Sequence, residues 1–191
     1  MNKTILVLPL TFFLDLSTWS CIDDDTNAGS MGIEGLITDV SYSLSSADGY
    51  QATFTFIDRD GDGDNDALIF NDTVLANKTY TGGLCLHNNS TSPIERISQD
   101  IARDGTDHQV FFTSTVEGLT IAYRDFGSDF DTDGNPIGFV TELTTGDPGT
   151  GTLTMTLRSG PDKFAEGVSD GDITNAGGET VIEVIFDVVV E

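Results

Sequence analysis

Positive charge is what this chain lacks most. Its 191 residues include 8 Lys and Arg against 32 Asp and Glu, for a formal net charge of −24. Nucleic-acid binding requires a basic surface that neutralises phosphates, and an anionic membrane surface makes the same demand. The composition therefore predicts no nucleic-acid partner and favours cations or basic partners.

Long apolar runs and cysteines are also scarce. The N-terminal segment "MNKTILVLPLTFFLDLSTWSC" has an apolar run over residues 5–14 and a small residue, Ser20, before Cys21. The run is far shorter than the roughly 20 residues that a membrane-spanning helix needs. This layout is typical of a bacterial lipoprotein signal, in which Cys21 becomes the lipidated N-terminus. An ordinary secretory signal and an uncleaved anchor are the alternatives.

The residues that follow Cys21 support the lipoprotein interpretation. "CIDDDTN" resembles the acidic export tag of surface lipoproteins in Bacteroidota-type bacteria. We therefore expect a signal peptide over 1–20, a lipidated cysteine with a flexible acidic linker over 21–32, and one domain over 33–191. The predicted location is the outer membrane, lipid-anchored and exposed at the cell surface. With Cys21 lipidated, no intramolecular disulfide is expected, and Cys85 is predicted to be a small buried residue.

Alternating apolar and polar residues predict strands through most of the remaining chain. The last run shows the pattern best, with Val184, Phe186 and Val188 on one face and Glu183 and Asp187 on the other. Many short strands separated by turns indicate an all-β fold, an antiparallel β-sandwich of immunoglobulin-like type with about 8–9 strands. The predicted strands cover 36–44, 50–56, 67–70, 78–87, 108–114, 118–124, 137–143, 151–157 and 180–190.

One helix is predicted, over residues 93–104. Ser92 is placed to cap it, with Pro93 in the first turn and Glu95 completing a capping box. Gly105 is expected to end the helix in a left-handed conformation. The apolar stripe consists of three isoleucines at helical spacing: Ile94, Ile97 and Ile101.

The run "DRDGDGDND", residues 58–66, is the first candidate metal site. It follows the D-x-D-x-D-G order of a calcium loop, in which alternate residues around a bend direct oxygens toward one point. Position 12 of that pattern is Ile69 instead of a bidentate Glu, and a solvated turn is the alternative. The predicted Ca²⁺ ligands are Asp58, Asp60, Asp62, Asp64 and Asp66.

A second, weaker candidate lies in "DFDTDGNPIG". Asp129, Asp131 and Asp133 occupy the first three ligand positions, although Asp-Gly-Asn-Pro is also ordinary turn chemistry. If successive strands alternate in direction, the acidic loops after strands 2, 6 and 8 emerge at one end of the sandwich. The loop over 158–179, which is long for a compact domain, is expected to be functional or disordered.

Two shorter patterns complete the candidate sites. Asp72-Thr73-Val74 resembles the O-glycosylation signal of Bacteroidota-type bacteria, with Thr73 as the acceptor. No nucleophile elbow, P-loop or HExxH motif occurs in the chain. We therefore expect a protein that is not an enzyme.

As a whole, the chain resembles a family of small surface lipoproteins from marine and flavobacterial lineages. The resemblance rests on stretches such as "LANKTYTGGLCLHNNSTSPIERI" and "DGDITNAGGET" and covers most of residues 35–191. The family has no established activity. Some members are labelled as a type 1 periplasmic binding fold, a two-domain α/β structure of nearly twice this length, whereas this chain indicates an all-β domain.

These observations lead to three functional hypotheses. The first is a non-enzymatic binding or accessory module, stabilised by Ca²⁺, that serves nutrient capture together with a membrane transporter or an extracellular polymer. The second is a structural or adhesion coat protein without a metal site. The third is a carboxylate-based glycoside hydrolase, which the many Asp and Glu residues permit.

Overall fold

The computed structural model describes residues 36–59, 67–103, 105–125 and 131–191. The described residues form nine strands in two antiparallel sheets, in the orders β3-β2-β1-β4-β7-β6 and β5-β8-β9. This arrangement confirms the predicted all-β sandwich. The strands are β1 Asp39–Ser46, β2 Gln51–Ile57, β3 Leu68–Asn71, β4 Thr79–His87, β5 His108–Ser114, β6 Thr120–Tyr123, β7 Val140–Thr144, β8 Gly149–Ser159 and β9 Glu179–Val190.

The core lies between the two sheets and follows from the alternation of the strands. Phe54 on β2 meets Phe186 on β9 with ring centroids 5.7 Å apart, and Tyr42 on β1 meets Phe112 on β5 at 5.2 Å. Each pair joins one sheet to the other. Burying a large apolar side chain contributes about 1.5–3 kcal/mol, so these contacts hold the sheets face to face.

A hydrogen bond inside this core depends on a glycine. The Tyr42 hydroxyl and the Thr141 hydroxyl are 2.7 Å apart, and both residues are buried. A Cβ on Gly82 would lie 2.4 Å from Thr141 Oγ1 and 2.6 Å from the Tyr42 hydroxyl. Gly82 therefore leaves the space in which the two hydroxyl groups meet.

The helix is shorter than its sequence predicts. It spans Ile97–Arg103, and the preceding Ser92–Pro93 peptide bond is cis. Glu95 is paired with Asn88 through both backbone hydrogen bonds, and its carboxylate accepts a third bond, 2.9 Å, from the Asn88 amide. The capping-box prediction is wrong because this pairing with the chain that leaves β4 holds Glu95 in an extended conformation.

Two further details of the helix prediction need correction. The side chains of Ile97 and Ile101 are buried as predicted, but Ile94 precedes the helix and is exposed. Gly105 does not adopt a left-handed conformation and instead begins a short 3-10 helix, Gly105–Asp107. A Cβ at Gly105 would lie 2.7 Å from Ile137 Cδ1, so close packing is the reason for a glycine here.

The long connection between β8 and β9 is ordered and has its own small core. It contains two 3-10 helices, Val168–Asp170 and Ile173–Asn175. Val168 and Ala176 are buried against Phe111, which points from β5 to the outer face of the three-stranded sheet. This connection therefore covers an apolar side chain that the main core does not reach.

Cys85 differs from its prediction. It is half-buried on β4, between the buried side chains of Leu84 and Leu86, and therefore faces away from the core. It is disulfide-bonded, so it is not a free thiol. The chain has two cysteines, and Cys21 lies outside the described residues. The expectation of an isolated, buried Cys85 is therefore wrong.

Candidate functional site

Strand direction gathers several connections at one end of the sandwich. The β1–β2, β1–β4, β4–β7 and β6–β7 pairs are all antiparallel. The connections that follow β2, β4 and β6 therefore leave the larger sheet in the same direction. The connection after β8 joins them through the contacts of Lys163 described below, which confirms that the loops after strands 2, 6 and 8 share an end. We call the described residues of these four connections the loop end.

Lys163 lies at the centre of the loop end. Its Nζ donates hydrogen bonds to the carbonyl oxygens of Gly105, at 2.5 Å, and Pro136, at 3.1 Å. Nζ is also 3.1 Å from Asp131 Oδ2, and the Lys163 and Asp131 side chains are only 3% and 1% exposed. A single ammonium thus joins the connections that follow β4, β6 and β8.

The two oxygens of the Asp131 carboxylate have different environments. Oδ1 accepts the backbone N–H groups of Asp133, at 2.9 Å, and Asn135, at 2.7 Å. Oδ2 is buried beside Lys163 Nζ, in an ion pair whose geometry is not that of a hydrogen bond. Burial raises the pKa of Asp131, but the Asn135 N–H and the Lys163 ammonium outweigh it, so that the pKa is lowered overall.

Asp125 fixes the connection after β6 in a similar way. Its Oδ2 accepts the backbone N–H of Gly138 at 2.7 Å, and its Oδ1 accepts that of Val140 at 2.8 Å. Burial lowers the pKa of Lys163, although the charges of Asp131 and Asp125 act in the opposite direction. The loop end is therefore a rigid frame in which buried carboxylates surround one buried amine.

A hydrogen-bonded network also ties the β8–β9 connection to the sheets. The buried Gln109 side chain donates from Nε2 to the Val168 carbonyl at 2.6 Å and to the Tyr123 hydroxyl at 3.1 Å. The Tyr123 hydroxyl in turn donates to the Val110 carbonyl at 2.6 Å. Burial raises the pKa of Tyr123 and keeps its hydroxyl protonated as a donor.

The first predicted calcium loop is described only at its start. Asp58 is buried, and its backbone N–H donates to the Thr38 carbonyl at 2.7 Å. The other four predicted ligands lie outside the described residues: Asp60, Asp62, Asp64 and Asp66. Calcium binding at 58–66 stays a prediction.

The second predicted calcium loop is described in part. Asp129 lies outside the described residues, and the Asp133 side chain is exposed. The Asp131 carboxylate is already used by Lys163 and by two backbone N–H groups. In the part of the chain that the structure describes, no group of three or more His, Cys, Asp or Glu side chains is placed to hold a metal ion.

The remaining predicted sites were Thr73 and Cys21. Thr73 is half-buried between β3 and β4, and its carbonyl accepts a hydrogen bond from the Tyr50 hydroxyl at 2.7 Å. Cys21 lies outside the described residues. Modification of either residue stays a prediction. The described residues contain no helix long and apolar enough to cross a membrane.

The clefts that are lined by described residues include two small ones. One, of about 100 Å³, lies between Asp39, Ile57, Arg59 and Asn89, at the start of the first Asp-rich run. The other, of about 30 Å³, is lined by five residues: Phe112, Ile121, Tyr123, Asp170 and Gly171. Pockets for small organic ligands usually enclose roughly 300–1,000 Å³, so neither of these two clefts has the size of such a pocket.

Sequence reasoning missed Lys163. It is one of only 8 basic residues, and it lies in a stretch without alternation. A lysine in such a stretch is ordinarily solvated, and its burial depends on contacts with residues 27 and 58 positions away along the chain. The scarcity of lysine was the one signal that could have singled it out.

Comparison of the chain with protein-family models, with curated protein sequences and with solved structures gives no significant match.

Proposed function

We propose that this chain is a non-enzymatic binding or accessory module, attached to the outer membrane by lipid on Cys21, that presents its loop end to cations and partners. The single observation that carries the proposal is the convergence of four connections at one end of a rigid sandwich in a chain of net charge −24. Loops held on a rigid scaffold are the usual place for binding residues.

The proposal includes Ca²⁺ at residues 58–66. That run carries five Asp residues within nine positions, and a divalent cation would offset the repulsion between them. We restrict the calcium proposal to this run because the Lys163 ammonium already neutralises Asp131 in the second run. A membrane transporter or an extracellular polymer would be the partner in nutrient capture.

Calcium binding can be tested by thermal unfolding of residues 21–191 after metal removal. A ligand that binds the native state raises the melting temperature by mass action. We expect millimolar Ca²⁺ to raise it more than Na⁺ at matched ionic strength, and Asp60→Ala with Asp62→Ala to abolish the difference. An equal effect of the two ions in the unmodified chain would eliminate the calcium proposal.

A matched control removes the same charge from the opposite end of the sandwich. Glu117 and Asp147 are exposed and lie in the connections after β5 and β7. Glu117→Ala with Asp147→Ala should leave the Ca²⁺ response intact. If this variant also loses the response, the effect comes from net charge and not from the 58–66 run.

A structural or adhesion coat protein without a metal site is the second candidate. It is favoured by the small size of the two described clefts and by the internal neutralisation of Asp131. The same Ca²⁺ titration separates the candidates, because a coat protein without a metal site would respond only to ionic strength.

A carboxylate-based glycoside hydrolase is the least favoured candidate. Such an enzyme needs a carboxylic acid whose pKa is raised, so that it can protonate the leaving group. At the loop end, the buried Asp131 has a lowered pKa because backbone N–H groups and Lys163 stabilise its charge. This electrostatic environment is the opposite of the one that a general acid requires.

A further inference from the structure

The Lys163–Asp131 pair brings a primary amine and a carboxyl group together in a dry site. Nζ and Oδ2 are 3.1 Å apart, and both side chains are almost completely excluded from solvent. A second lysine, Lys78, is paired with Asp48, and these two side chains are 34% and 54% exposed. Among the residues that the structure describes, one buried and one solvent-accessible Lys–Asp pair can therefore be compared.

The surroundings of the Asp131 carboxyl group suit an electrophile that undergoes nucleophilic addition. Two backbone N–H groups, from Asp133 and Asn135, point at Oδ1. Paired N–H donors of this kind form an oxyanion hole, which stabilises the negative charge that develops on a carbonyl oxygen during nucleophilic addition. Oδ2, the other oxygen, has no hydrogen-bond donor that would hold it in place.

The surroundings of the Lys163 amine suit a nucleophile that adds to this carboxyl group. The carbonyl oxygens of Gly105 and Pro136 fix Nζ against the carboxyl group of Asp131. Fixing two reactants in contact removes the entropic cost of bringing them together. Burial also lowers the pKa of Lys163, which makes the neutral amine more accessible than it is for a solvated lysine.

We propose that Lys163 and Asp131 condense to form an intramolecular amide bond. A proton first passes from the Nζ ammonium to Oδ2, which gives a neutral amine and a carboxylic acid. Nζ then adds to Cγ, and the charge that develops on Oδ1 is stabilised by the N–H groups of Asp133 and Asn135. The Cγ–Oδ2 bond breaks, Oδ2 takes a second proton from Nζ, and it leaves as water.

The step balances without any further reactant. An ammonium and a carboxylate yield one amide and one water molecule, with no change in net charge or oxidation state. The donors that lower the pKa of Asp131 make the first proton transfer unfavourable, while the same donors assist the addition. Because the site excludes water, the amide is protected against hydrolysis once it has formed.

The bond would join the connection after β6 to the connection after β8. It would replace an ionic contact at the centre of the loop end with a covalent one, and it would enclose residues 131–163. This link goes beyond the proposed binding function and does not depend on calcium or on the lipid anchor.

The test is the intact mass of folded residues 21–191 without lipid, incubated at 37 °C for a day and then denatured and reduced. We expect the mass to be lower than the sequence mass by one water molecule. Trypsin should then fail to cleave after Lys163 and should yield one branched species made of residues 125–158 and 159–191, which the positions of Arg124 and Arg158 define.

Three variants make the result specific. Lys163→Arg keeps a buried cation but removes the amine nucleophile, and it should show the full sequence mass. Asp131→Asn keeps the shape of the acceptor but removes the oxygen that leaves as water, and it should show no loss of water. Lys78→Arg, at the exposed Lys–Asp pair, should leave the water loss unchanged.

Two outcomes would overturn the proposal. The first is an unmodified mass for the native chain with normal tryptic cleavage after Lys163, which would mean that the pair is ionic only. The second is a water loss that persists in Lys163→Arg, which would assign the dehydration to another position, such as an Asp-Gly sequence.

Discussion

At the scale of single residues, several buried polar groups in this protein reach their hydrogen-bond partners at positions where a glycine leaves room. Tyr42 and Thr141 meet because Gly82 has no side chain, and Lys163 reaches the Gly105 carbonyl where Ile137 leaves no room for a Cβ. A buried hydroxyl or amine that is left without a hydrogen-bond partner would lower the free energy of unfolding by about 1–3 kcal/mol or more. These positions are therefore where small substitutions should have large effects.

Gly82→Ala tests this directly. The new methyl group would overlap Thr141 Oγ1 and the Tyr42 hydroxyl, and overpacking of this kind costs about 1–3 kcal/mol. We expect that loss in the free energy of unfolding, measured by urea denaturation. Gly149→Ala is the matched control, because its nearest atom, the Asp147 carbonyl oxygen, is 3.9 Å away. Equal losses in the two variants would contradict the packing argument.

Tyr42 should also make the protein sensitive to alkaline pH. Burial raises the pKa of Tyr42 above the ordinary tyrosine value of 10.0, so the folded state favours the protonated hydroxyl. Stability from this group is complete below pH 10.0 and is lost as the pH rises from there toward the folded pKa. Tyr42→Phe should be less stable at neutral pH, because Thr141 loses its partner, but its stability should fall less steeply above pH 10. The comparison requires urea denaturation at a series of pH values, and parallel slopes would refute it.

At the scale of elements, local contacts within one segment compete with contacts between separate segments of the chain. The capping box predicted at Ser92 does not form because Glu95 pairs with Asn88, and the helix begins at Ile97. The β8–β9 connection is ordered because Val168 and Ala176 bury themselves on Phe111. Both outcomes depend on residues that local sequence patterns do not connect.

Phe111→Ala should release the β8–β9 connection without unfolding the sandwich. Removing a buried phenylalanine typically costs about 3–5 kcal/mol, and here the contacts that are lost lie largely in the small outer cluster. Relative to the unmodified chain, we expect amide hydrogen exchange in this variant to accelerate more over residues 160–178 than over β1 and β4. Phe164→Ala is the control, since Phe164 lies in the same connection but is 76% exposed. Uniform acceleration over the whole domain would show instead that the cluster is not a separate unit.

At the scale of the whole molecule, the state of Cys85 is linked to the proposed anchor. An intramolecular disulfide of Cys85 has Cys21 as its sole available partner, because the chain has two cysteines. The thiol of Cys21 cannot carry lipid and form a disulfide at once. The lipid-anchored protein and the disulfide-bonded protein are therefore two exclusive states of one chain.

This exclusivity gives a test of the anchor. When the chain is produced in a bacterium with its N-terminal segment intact, we expect it to be attached to the membrane. Cys21→Ser should abolish attachment, and Cys85→Ser should leave it unchanged. Membrane fractionation provides the readout, and a soluble chain in which mass spectrometry finds a Cys21–Cys85 disulfide would reject the lipid anchor.

The sequence by itself determined the strands and the sandwich. Alternation is a local property, and burial of Val184, Phe186 and Val188 on β9 follows from it wherever one face of a strand meets a core. The convergence of the acidic loops could also be predicted, since antiparallel neighbours alternate in direction. These features need no information beyond neighbouring residues.

The tertiary structure alone decided the chemistry of the loop end. Asp131 was predicted from spacing as a metal ligand, but its partner is Lys163, an ammonium from a connection 32 residues later. Which charge neutralises a buried carboxylate depends on which loops meet in space, and spacing along the chain does not record that. The same reason applies to Glu95, which pairs with Asn88 instead of capping the predicted helix. It also applies to Phe111, which is covered on the outer face of the three-stranded sheet by a distant connection.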